Sequence, residues 1–172
     1  MTGPETALGV ENLAAMGPAS HAALGRLRLP EWQEEMAGGF AESLATWHAG
    51  PPGQILGLCF LLRAKPVGMT LFKRPPLSPD WTPADAASLH GLKIAEPWQG
   101  RGWGHHVLHL AVTALAQEWP HTARVVLAVD AGNASARAVY RRFGMTDRGP
   151  VHEGRLGREH RLEIALHTPP PG

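Results

Sequence analysis

From residue 87 onward the chain switches three times between two kinds of apolar spacing, and few folds accommodate that alternation. SLHGLKIA reads as a strand, GWGHHVLHLAVTALAQEW as a helix stopped by Pro120, ARVVLAVD as a second strand, and ASARAVYRRFG as a second helix closed by Gly144. Two strands joined by a helical crossover lie parallel in one sheet, so this βαβα unit commits the chain to an α/β architecture. RGPVHEG and REHRLEIALH read as two more strands in a terminal hairpin.

Upstream, Trp32, Met36, Phe40, Leu44 and Trp47 recur at helical spacing after Pro30. This predicts one helix, kinked at Gly38 and Gly39, whose apolar stripe is core or lines a substrate cleft. QILGLCFLLRA at 54–64 and KPVGMTLFKR at 65–74 predict two adjacent antiparallel strands. The four prolines of RPPLSPDWTPADA make 74–86 a long loop, with Trp81 either capping a site or anchoring the loop. A single domain over 7–167 is expected, with disordered ends at 1–6 and 168–172, where little apolar material is available to dock.

With 172 residues the chain is long enough to bury one ordinary core. Its net charge of +1 supplies no field to hold nucleic acid or an anionic membrane, so a small or locally recognised partner is expected. No apolar window approaches a membrane span and the N-terminus lacks a leader pattern, so a soluble, cytoplasmic protein is expected. A homodimer is left open. The single cysteine, Cys59, rules out an intramolecular disulfide and reads as a small buried hydrophobe.

The candidate chemistry begins at QGRGWG, residues 99–104, between a strand and a helix. Alternate glycines leave main-chain amides uncovered, and the first turn of the next helix has unpaired N–H groups carrying partial positive charge. Such a corner cradles an anion, and Arg101 adds a full charge that reaches a phosphate. Glycines at such a corner also serve simply to tighten it. The segment lacks the GK[ST] ending of a triphosphate loop and the GxGxxG spacing of a dinucleotide fold. The second motif, NASARAVYRRFGM at 133–145, opens on a capping asparagine and carries Tyr140, the only tyrosine in the chain.

Together the two motifs resemble the GCN5-related N-acetyltransferase family, whose pattern is QxxGxG after a strand, then helix, strand and NxxAxxxYxxxGF. The match is QGRGWG with Asn133, Ala136, Tyr140 and Gly144, and Met145 replaces the usual final Phe. The resemblance implies a mixed, mostly antiparallel sheet with one splayed parallel pair and helices on both faces. It implies acetyl-CoA as co-substrate, no metal, and a small-molecule or peptide amine as acceptor. The main chain of Leu92, Lys93 and Ile94 would pair with the pantetheine arm. Gln99, Gly100, Arg101, Gly102, Trp103, Gly104 and His105 would form the pyrophosphate turn. Asn133 would touch the cofactor and Tyr140 would face the thioester sulfur.

Those residue types suit the chemistry. An amine attacking a thioester builds charge on the carbonyl oxygen, which a main-chain N–H near residues 92–94 would stabilise, and the departing thiolate takes a proton that Tyr140 can supply. The amine must first lose its own proton. Many relatives place a glutamate for this twelve residues before the tyrosine, and here that position is Ala128. His90, Glu96 and Asp130 remain as candidate bases, or a water chain; the ordinary imidazole pKa near 6.5 suits His90 to the task, although the residue also reads as a solvent-exposed or core-satisfied histidine. His105, His106 and His109 raise a metal site, but no carboxylate or cysteine follows at ligand spacing. A module that senses acyl-CoA without turning it over is the competing expectation, favoured by Ala128 and opposed by Tyr140.

Overall fold

A computed structural model describes residues 7–166; the disorder expected at 1–6 and 168–172 falls outside the described residues. One seven-stranded mixed sheet, flanked by helices, has the order β1-β2-β3-β4-β5-β7-β6, and its residues cluster in two compact units.

The first unit runs to Lys73 and adds His90–Trp103. It contains β1 (Leu8–Asn12), α1 (Pro18–Gly25), α2 (Glu31–Ala37), α3 (Phe40–Ala49), β2 (Ile55–Leu62) and β3 (Lys65–Lys73). β1 and β3 both pair antiparallel with β2, setting Val10 and Gly68 opposite Phe60. Arg63 and Ala64 turn the β2 to β3 hairpin with positive φ at both residues, the geometry whose twist matches the flanking strands. β2 is buried from Ile55 to Phe60 on successive residues, so both its faces are covered, which is why it reads as a continuous apolar run. Cys59 sits there fully buried, and desolvation, aided by Glu11, pushes its thiol up to about 12.

The second unit comprises Arg74–Leu89 and the chain from Gly104 onward. It holds α4 (Gly104–Glu118), β5 (Arg124–Asp130), α5 (Ala134–Phe143), β6 (Thr146–Gly154) and β7 (Gly157–Ala165). β4 (Ala86–Ile94) begins here, and its residues from His90 on belong to the first unit. The parallel pair predicted from the βαβα pattern is present, with Ala86, Ala87 and Ser88 opposite Arg124, Val125 and Val126; the register extends no further. α4 buries Val107, Leu108, Ala111 and Leu115, a one-sided stripe. β7 inserts between β5 and its hairpin partner β6, setting Leu162 against Leu127.

Two expectations are corrected. The single kinked helix over 30–48 is two helices, because Gly38 takes a left-handed φ of 71° and, with Gly39, separates α2 from α3. The apolar stripe is therefore core only in α3, through Phe40 and Leu44, while Trp32 and Met36 on α2 are exposed at 59% and 42%. β1 and α1 were not foreseen. The long loop ahead of β4 is tied down through Trp81, whose carbonyl accepts from Arg161 Nη1 at 3.2 Å.

Candidate acyl-CoA site

In the first unit, Gly91 lies within β4 with a left-handed φ of 58°, just ahead of Leu92, Lys93 and Ile94. Lys93 does not project its charge into solvent. Its ammonium is buried and donates to Ser43 Oγ at 2.6 Å and to the carbonyls of Gly38 and Gly39 at 2.9 and 3.3 Å, spanning the break between α2 and α3. Desolvation lowers its pKa to about 8 against the opposing pull of Glu42 and Glu34. Only the main chain of Lys93 is left for a cofactor. His90 is half-buried, and desolvation with the Lys73 charge lowers it to about 4, far below the ordinary value on which its candidacy as base rested. The neutral ring is a weak proton acceptor. Glu96 stays exposed in a short 3-10 turn, Glu96–Trp98.

The turn that follows has the form its glycines require. Gly100 and Gly102 have φ of 72° and 73°, and open space surrounds the position of a Cβ at each, so glycine is needed for conformation and leaves the main chain bare. The Gln99 side chain is engaged within the protein. Its Nε2 donates to Ile94 O and to Gln33 Oε1, both at 2.8 Å, and its Oε1 accepts from Gln33 Nε2 at 3.3 Å. The side chain thus staples the turn to the end of β4 and to α2. Arg101 is exposed, with its guanidinium over the rings of Trp98 and Trp103.

In the second unit, the first residue of α4 is glycine where the helix passes very close to α5: a Cβ at Gly104 would lie 2.9 Å from Val139 Cγ1. His105 is exposed with its ring edge-on to Phe143 at 5.3 Å. Asp130 ends β5, where Oδ1 accepts from Gly132 N at 2.7 Å and its carbonyl accepts from Asn133 N at 3.0 Å. Asn133 in turn caps α5 by accepting from Ala136 N at 3.1 Å, so its side-chain oxygen is already engaged. Tyr140 lies half-buried on α5, and desolvation pushes its phenol up to about 12. It stays protonated throughout the neutral range.

Sequence reasoning missed several residues that organise these parts. Gln33, Ser43 and Trp98 act through partners remote in sequence or through turn geometry, and no local pattern announces them. Asp147 is a fourth case. It gathers His160 Nδ1 at 2.9 Å, Arg137 Nη2 at 3.1 Å and Gly149 N at 2.8 Å, anchoring α5 one turn before Tyr140. Among the described residues no group of three or more His, Cys, Asp or Glu is arranged to hold a metal, and no helix is long and apolar enough to cross a membrane.

Residues 22–145 match the family described as "Acetyltransferase (GNAT) family". The chain belongs to the GNAT family. Solved structures agree on the fold of this GNAT protein. The aminoglycoside acetyltransferase AAC(6')-Ib with coenzyme A superposes at TM-score 0.69 with 16% identity, covering 92% of this chain and 95% of that one. Spermidine N-acetyltransferase from Vibrio cholerae with CoA and spermine gives 0.68 and 16%, over 92% and 95%. The GNAT domain of S. lividans PAT gives 0.67 and 20%, over 91% and 89%. No curated protein sequence matches this one.

Proposed function

We propose that this GNAT protein transfers an acetyl group from acetyl-CoA to a primary amine by direct attack in a ternary complex. The observation that carries the reading is the turn at 99–104, where two left-handed glycines leave the main chain bare immediately before a helix start. The amides of 100–105 would take the diphosphate, and Gln99 would hold the turn in shape. The main chain of Leu92, Lys93 and Ile94 would pair with the pantetheine arm and supply the N–H that meets the developing oxyanion. Asn133 and His105 would contact the cofactor at the starts of their helices.

The amine lone pair forms the C–N bond, and collapse of the tetrahedral intermediate breaks C–S and releases a thiolate. With its phenol at about 12, Tyr140 is a hydrogen-bond donor at any working pH. Full transfer to a thiolate with pKa near 8.5 would be uphill by about 3.5 pKa units. Tyr140 therefore stabilises the departing sulfur by donating a hydrogen bond, and the proton released by the attacking nitrogen balances the reaction. The acceptor amine must arrive neutral or lose its proton to a water chain or to Asp130, because His90 at about 4 gives little driving force. The similar structures holding spermine, paromomycin or ribostamycin support beginning with small polyamine-like and aminoglycoside acceptors.

Calorimetry with CoA and acetyl-CoA tests the binding half, and absence of heat with both overturns the reading. Colorimetric thiol release against polyamines, aminoglycosides, amino acids and peptides tests the chemical half. A second reading, an acyl-CoA sensor, draws support from Ala128 and from the weak basicity of His90. Binding without turnover across the whole panel would establish it instead.

A further inference from the structure

Trp98 and Trp103 bracket Arg101 in sequence and meet it in space. Their rings lie 6.1 Å apart and nearly parallel, at 13°, and the guanidinium carbon sits 4.8 Å from one centroid and 5.6 Å from the other. Both indoles are half-buried and Arg101 is exposed. A guanidinium resting on ring faces retains a planar fork of N–H donors, and because Arg101 is exposed that fork is accessible to a phosphate, which it matches in bidentate fashion. Gly100 and Gly102, both left-handed, flank Arg101, and all three residues are exposed. The bare amides already answer the diphosphate, so this cation and its two aromatic surfaces are a separate recognition element. The ligand they suit has a planar base close to a phosphate monoester.

Resting on the acetyl-CoA reading above, we propose that Trp98, Arg101 and Trp103 form a platform for the 3′-phosphoadenosine end of the cofactor, with Arg101 on the 3′-phosphate and an indole face against adenine. Base stacking on aromatic side chains and charge-assisted phosphate contacts are each strong enough to change affinity about tenfold or more.

The test is calorimetric titration of the full chain with CoA, 3′-dephospho-CoA and 4′-phosphopantetheine. The unsubstituted protein is expected to bind CoA about tenfold more tightly than dephospho-CoA, and dephospho-CoA more tightly than phosphopantetheine. Arg101→Ala should bring CoA down to the dephospho-CoA level while leaving dephospho-CoA within about twofold, and Arg101→Lys should fall between. Trp103→Ala should weaken both nucleotides and spare phosphopantetheine. On the unsubstituted protein, 3′,5′-ADP should displace CoA about tenfold better than 5′-ADP, a comparison that needs no variant to fold. Equal affinity for CoA and dephospho-CoA, equal competition by the two ADPs, or a uniform loss for all three ligands in Arg101→Ala would overturn the platform. Failure to bind any of the three would instead remove the acetyl-CoA reading on which it stands.

Discussion

Replacing Tyr140 with phenylalanine removes one oxygen, and the size of the effect follows from what that oxygen does. The phenol sits at about 12, so at pH 8 only about one molecule in ten thousand is ionised and the group acts as a donor. A hydrogen bond to a charged acceptor contributes about 1.5–3 kcal/mol, which corresponds to a loss of roughly 10- to 150-fold in turnover when the donor is removed. In the proposed mechanism the interaction forms only as negative charge reaches the sulfur, so kcat and kcat/KM should fall together while the affinity for acetyl-CoA stays within about twofold. The assay is thiol release under saturating acetyl-CoA with the best acceptor of the panel, paired with calorimetry of CoA. The pH profile of Tyr140→Phe should keep the wild-type limb set by the amine, since a phenol at about 12 does not titrate below pH 9. Unchanged turnover, or a loss matched by weakened CoA binding, would refute the role given to the phenol.

Other outcomes follow from the remaining contacts. His90 is held at about 4 when folded against about 6.5 when unfolded, so the unfolded chain binds more protons between those values and stability falls as pH drops from 6.5 to 4, by on the order of 3 kcal/mol at most. Denaturant melts of His90→Gln should lose much of that pH dependence, and an unaltered slope in the variant would show that other groups cause it. Gly104→Ala pushes a methyl to 2.9 Å from Val139 Cγ1 and should cost about 1–3 kcal/mol in thermal melts. Val139→Ala in the same chain should recover part of that cost, and strict additivity of the two losses would argue against the close approach. Lys93→Met strands Ser43 Oγ and the Gly38 carbonyl without their donor, so chemical denaturation should register a loss of about 1–3 kcal/mol, whereas a neutral result would mean that water replaces the ammonium at little cost.

The βαβα half of the fold was legible because its signals are local: apolar spacing changes period, Pro120 stops one helix, and Gly144 closes another in a left-handed cap. β1 was not, since five residues of mixed character become a strand only because β2 offers them an edge. The exposure of Trp32 and Met36 was hidden for a related reason: helical spacing marks a face but not what covers it. At the candidate site, the glycine-specific turn at Gly100 and Gly102 was readable from the motif. The tasks of Gln99 and Lys93 were not, because their partners lie 66 and 50–55 residues away in sequence. The basicity of His90 depends on burial within the assembled sheet, which no composition reports.

Cys59 carries a practical and a biological corollary. With its one thiol sealed in β2 and protonated up to about 12, the native chain offers no thiolate to an electrophile or a disulfide-exchange partner. In the thiol-release assay, colour developed by the reagent would then come from coenzyme A alone, free of background from the folded protein. The same seal makes alkylation of that sulfur a clock for opening: each labelled molecule records one excursion in which the sheet came apart.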